Sequence, residues 1–169
     1  MIKMKKVNRM FKKLTILSLL MLLTTPLYAA NVGDKAPNIF GRTFDGELFR
    51  LSAVAGPKLV NFFWVKCQPC FQELPELKKL EQKYPNVTFI AVHVNIEGEE
   101  AEAVQAFIAK VRAAPEKIVL SSKRVQENFD FSGLPHTVVI GADGIIKGRF
   151  EGYDGKKSIA KLEKSIKNL

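Results

Sequence analysis

Residues 61–75, Asn-Phe-Phe-Trp-Val-Lys-Cys-Gln-Pro-Cys-Phe-Gln-Glu-Leu-Pro, join an apolar, strand-like run to two cysteines held one helical turn apart. Cys67 and Cys70 are the only cysteines in the chain. Two thiols at C-x-x-C spacing either close a disulfide in a tight turn or bind a metal with further ligands supplied from elsewhere. A bridge across two intervening residues constrains the unfolded chain little, so the pair is poorly placed as a structural staple. That shifts the weight toward chemistry.

Working outward, Lys58 to Trp64 is nearly all apolar, the mark of a strand covered on both faces of an α/β sheet. Leu74, Leu77, Leu80 and Tyr84 then recur at three- and four-residue spacings, which predicts a helix directly after the cysteines, ended by Pro85-Asn86. Val87 to Asn95 is a second buried strand. Glu97 to Glu102 reads as the solvated acidic start of another helix running through Ala103 to Arg112. A short strand follows at Ile118 to Leu120, then a helical turn or two at Val125 to Phe129. Thr137 to Ile140 and Ile145 to Phe150 flank Asp143-Gly144, a strong hairpin signal, and a last helix covers about Gly155 to Asn168. Before all of these, Thr43 to Leu51 reads as a hairpin around Asp45-Gly46.

Strand-helix-strand order implies parallel pairing, and the terminal hairpin must be antiparallel. The fold class is therefore α/β, a mixed central sheet with helices on both faces, an N-terminal β-hairpin extension and a helix-strand insertion.

The first thirty residues are of another kind. Six Lys and Arg residues from Lys3 to Lys13 precede an apolar run from Leu14 to Leu23 and the small-residue end Ala29-Ala30, the three parts of an export signal. Residues 1–30 are thus expected to be a cleaved signal peptide, with an uncleaved membrane anchor as the competing reading, and 31–169 a single domain. The signal holds six of the 26 basic residues and none of the 17 acidic ones, so the remainder carries 20 against 17, a net +3. Lysines scattered among glutamates at that balance form no basic stripe, and nucleic acid is set aside as a partner.

The stretch from Val60 to Pro75, the later Gly133-Leu134-Pro135-His136-Thr137 and the trailing Gly141-Ala142-Asp143-Gly144 with Gly152 resemble the thioredoxin superfamily, in particular its exported TlpA- and ResA-like thiol-disulfide oxidoreductases. The resemblance spans nearly all of residues 31–169. Where that family usually shows a tryptophan before the first cysteine this chain has Lys66, and Trp64 is displaced from the earlier aromatic position, which Phe63 fills.

The resemblance implies a thioredoxin fold and a redox-active Cys67–Cys70 disulfide with no cofactor or metal. Cys67, at the junction of strand and helix, would be the attacking thiolate, favoured by free N–H groups and the helix dipole. Cys70, one turn in, would resolve the mixed disulfide. Pro69 before the second cysteine is similar to the reducing members. Glu73 matches a glutamate that handles the proton of the buried cysteine, and Asn61 falls where cytoplasmic thioredoxins carry a buried aspartate. Pro135 would be cis, with Leu134 offering backbone groups to an extended substrate. Lys66, beside Cys67, and His136, after the proline, complete the expected substrate-binding set. The expected partners are a protein disulfide and a membrane thiol-electron donor of the DsbD or CcdA type, in the periplasm or another extracytoplasmic compartment. Contact with the membrane itself is expected only if the signal stays uncleaved. Two alternatives stand beside this reading: a copper carrier using Cys67, Cys70 and His136 as soft ligands, and a disulfide oxidase or isomerase.

Overall fold

The computed structural model describes residues 30–169. The expected signal lies outside them apart from Ala30, which is buried and whose carbonyl accepts from the Arg149 guanidinium. The first hairpin joins β1 (Phe40–Arg42) to β2 (Leu48–Arg50). Its turn closes with Thr43 N–H donating to Glu47 C=O at 3.0 Å, and Gly46 sits at φ +83°, a conformation that favours glycine.

β3 (Lys58–Phe63) is buried along its whole length and leads into α1 (Gln68–Lys83), which continues through Pro75. β4 (Thr88–Asn95), α2 (Ala101–Val111) and β5 (Lys117–Ser122) form the next parallel unit, followed by the short α3 (Arg124–Phe129). β6 (His136–Ile140), β7 (Ile146–Glu151) and α4 (Lys156–Lys167) complete the chain.

The seven strands form one sheet in the order β2-β1-β5-β4-β3-β6-β7. β3 pairs in parallel with β4 and antiparallel with β6, so the sheet is mixed. β5 is longer than its apolar residues alone suggest because it is flanked on both sides, by β4 and by β1. Gly41 allows that β1–β5 approach: a Cβ there would lie 2.6 Å from Val119 Cγ1.

Side chains alternate across β3, and this alternation divides the molecule. Leu59 joins Leu77 and Leu80 of α1 and Leu162 and Ile166 of α4 in one cluster. Phe63 packs with Cys70 and Leu74 of α1 and with Val104 and Phe107 of α2 on the same face. Val60 and Phe62 point to the other face, where α3, Phe131 and the N-terminal segment cover them. Among the described residues the sheet thus has α-helices on both faces, three on one and a single short one on the other. Burial of these aliphatic and aromatic side chains contributes roughly 1.5–3 kcal/mol each. Among the described residues no helix is long and apolar enough to cross a membrane.

Candidate active site

Cys67 caps α1. Its backbone is extended, at φ −89° and ψ 103°, and the Cys70 N–H donates to Cys67 Sγ at 3.2 Å. Pro69, in the first turn, has no N–H to leave unpaired there. Cys67 and Cys70 form a disulfide with their Cα atoms 5.2 Å apart. Cys67 is partly exposed and Cys70 fully buried, so only the first sulfur is open to an incoming disulfide. On reduction, the free N–H groups and positive dipole of the helix start favour a thiolate at Cys67.

The loop before β6 approaches the same sulfurs. The Leu134–Pro135 peptide is cis, as expected, and Gly152 N–H donates to Pro135 C=O at 2.8 Å. Leu134 packs against the cluster that contains both cysteines. Among the described residues no backbone hydrogen bond uses Leu134, so its N–H and C=O remain available to a strand laid alongside.

Behind the disulfide, α1 turns Glu73 inward, one turn beyond Cys70. Glu73 is only 2% exposed. Asn61 Nδ2 donates to Glu73 Oε2 at 2.7 Å and to Thr137 Oγ1 at 2.8 Å. Burial pushes the Glu73 carboxyl up to about 7, against the opposing pull of the Asn61 hydrogen bond. The sequence marks Asn61 only as a missing aspartate. The signal that would have found its role is a lone amide in an otherwise apolar strand, which must find partners on one face.

Lys66 is exposed, but its ammonium is not a free charge beside Cys67. It pairs with Glu97 and lies 5.6 Å from the Trp64 ring centre. The acidic run is likewise more than a solvated helix start. α2 begins at Ala101, and the preceding loop is tied to the active-site strand through Glu99, which accepts from Trp64 Nε1 and, at 3.1 Å, from Ile96 N–H. Between this strand end and α2 a groove of about 340 Å³ opens beside Cys67, lined by Val65, Lys66, Phe71, Phe107 and Lys110.

His136 corrects the expectation that its imidazole approaches the cysteines. It pairs with Phe62 across the β3–β6 ladder and shares that residue's face, while Thr137 faces Asn61 and α1. The imidazole stacks on Phe131 with ring centres 4.7 Å apart and is 2% exposed. Burial, reinforced by Arg149, pushes it down to about 4, so it is neutral at pH 7 and its 3.7 Å approach to Glu151 is not an ion pair. The sheet separates it from the sulfurs, which deprives both the substrate contact and the copper reading of this residue. Among the described residues no group of three or more His, Cys, Asp and Glu side chains is placed to hold a metal.

Residues 31–166 match the family model described as Redoxin. The Thioredoxin-like protein YneN of Bacillus subtilis is 27% identical over 129 residues, 75% of each chain. The Thiol-disulfide oxidoreductase ResA of the same organism is 28% identical over 151 residues, 83% of this chain and 84% of the relative. Among solved structures, the thioredoxin domain of a thiol-disulfide oxidoreductase from Bacteroides vulgatus superposes with a TM-score of 0.68 at 23% identity, covering 80% of this chain and 98% of that one. StoA from Bacillus subtilis gives 0.63 at 19% identity, covering 83% and 98%. The structural likenesses bear on the fold alone.

Proposed function

The chain belongs to the Redoxin family, within the thioredoxin superfamily, and we propose that it reduces protein disulfides outside the cytoplasm through dithiol-disulfide exchange at Cys67-Gln68-Pro69-Cys70. The observation that carries this is the asymmetry of the redox pair: a partly exposed sulfur at a helix start and a buried one a turn behind it, under a cis-proline loop.

In the reduced protein, Cys67 thiolate attacks one sulfur of the substrate disulfide. A Cys67–substrate bond forms, the substrate S–S bond breaks, and its other sulfur leaves as a thiolate. Cys70 then gives its proton to the Glu73 carboxylate and attacks Cys67 Sγ. This closes the Cys67–Cys70 disulfide and releases the second substrate thiolate. Two electrons pass from the protein dithiol to the substrate. A carboxyl near 7 both accepts and returns a proton close to neutral pH, the property such a step needs.

Leu134 supports an extended substrate chain through its backbone, and Lys66 forms part of the rim beside Cys67. The proline at Pro69 favours the reducing direction over oxidation or isomerisation. The pair is re-reduced by a dithiol on a membrane thiol carrier of the DsbD or CcdA type. Residues 1–30 serve as the export signal, the relatives named thiol-disulfide oxidoreductase support the exchange chemistry, and the substrate in this reading is apocytochrome c or another extracytoplasmic redox protein. The test is reduction of the insulin disulfides with a dithiol as the terminal donor. Wild type accelerates the reaction and Cys67→Ser abolishes the acceleration; an unchanged rate in that variant sinks the reading.

A further inference from the structure

We propose that Asn61 is the positioning residue of the proton relay, holding the Glu73 carboxyl for Cys70 together with Thr137 and serving it in both protonation states. This rests on the reading of Glu73 as the group that takes the Cys70 proton.

Asn61 is fully buried in the middle of β3, where every neighbour along the strand except Lys58 is apolar. An amide with no partner in such a place costs about 1–3 kcal/mol. The ladder puts Thr137 directly opposite on the face under α1, and Glu73 closes the triangle from above. In the oxidised state both Asn61 bonds are donated from Nδ2, and Oδ1 has no partner. That arrangement suits an ionised carboxylate, which only accepts.

When Cys70 loses its proton to Glu73, the S–H bond breaks and an O–H bond forms on the carboxyl. Glu73 then becomes a donor and needs an acceptor. A half-turn of the Asn61 amide about its Cβ–Cγ bond presents Oδ1 to Glu73. Thr137, whose hydroxyl donates as well as accepts, turns its own proton toward the same oxygen. One amide atom goes without a partner in either state, so the two states have the same number of hydrogen bonds and differ in their strength, the bond to the ionised carboxylate being the stronger. An aspartate at this position would instead face Glu73 as a second carboxylate. The other titratable groups around Glu73 are Cys70 on α1 and Tyr153 after β7; Glu76 and Lys79 also act on Tyr153.

The experiment is the carbon-13 titration of the Glu73 carboxyl in the full oxidised protein, with the pH profile of disulfide exchange beside it. Asn61→Leu removes a hydrogen bond to a charged acceptor and moves the midpoint up by about one pH unit, roughly tenfold in proton affinity. Asn61→Asp, nearly isosteric, moves it further, because two carboxylates at hydrogen-bonding distance share a proton. A wild-type midpoint in both variants overturns the inference, since a purely structural residue would leave the titration in place. Glu73→Gln separates the two readings. If it leaves the pH profile of exchange unchanged, Glu73 is not the proton carrier and the relay falls with it. If it flattens the profile while the Asn61 variants keep the wild-type midpoint, only the role of Asn61 fails.

Discussion

Replacing Glu73 by glutamine is expected to stabilise the oxidised protein in alkaline but not in acidic solution. The carboxyl is raised from 4.5 to about 7, with burial as the first cause. Below the unfolded-state value it is protonated in both the folded and the unfolded chain, and the folded state keeps its full stability. As pH rises from 4.5 to about 7 the unfolded chain releases the proton and the folded chain holds it, so stability falls; above about 7 the loss is complete. The gap, 7 less 4.5, is 2.5 units, which corresponds to about 3 kcal/mol at roughly 1.36 kcal/mol per unit. Glutamine cannot ionise, and its carbonyl still accepts from Asn61 Nδ2. Urea unfolding of wild type and Glu73→Gln at about pH 4 and about pH 8 measures the effect. The advantage of the variant should grow by about 3 kcal/mol between the two. An advantage that does not change with pH would refute a buried, ionisable carboxyl at this position.

Cys70→Ser keeps the attacking sulfur and removes the resolving one, so it should accumulate a mixed disulfide with a substrate peptide, visible by mass spectrometry; free variant alone would contradict the division between the two cysteines. Glu99→Ala leaves Trp64 Nε1 without its acceptor and loosens the β4–α2 loop, with an expected loss of about 1–3 kcal/mol. Trp64 is the sole tryptophan, so a shift of its fluorescence maximum reports the change directly. His136→Ala opens a cavity beside Phe131 and Phe62 and should lower stability by about 2–4 kcal/mol while leaving the insulin-reduction rate within about twofold. A large loss of rate with stability retained would place His136 in the reaction after all.

The fold was legible wherever local pattern and topology agree. Apolar runs at β3 and β4, the leucine spacing of α1 and the two Asp-Gly turns each point to one structure. The helix after Cys70 and the later proline loop then define the site. What escaped depended on contacts distant in sequence. Asn61 and Glu73 are twelve residues apart, and Asn61 and Thr137 seventy-six, so their triangle exists only once the β3–β6 register is set. The same register decides His136. Its proximity to Pro135 in sequence suggested the cysteines, but one step along a strand reverses the side chain to the opposite face. Glu97 and Glu99 read as a helix start because acidic residues suit that place. Their actual partners, Lys66 and Trp64, lie on the neighbouring strand end.

The reduction potential of the Cys67–Cys70 pair tests the reductase reading most directly. Equilibration with redox buffers of known poise should give a value near thioredoxin's, about −270 mV, at which the dithiol passes electrons on to substrate disulfides. A value near about −120 mV, that of a strong oxidant, would contradict it and make the protein a donor of disulfides instead.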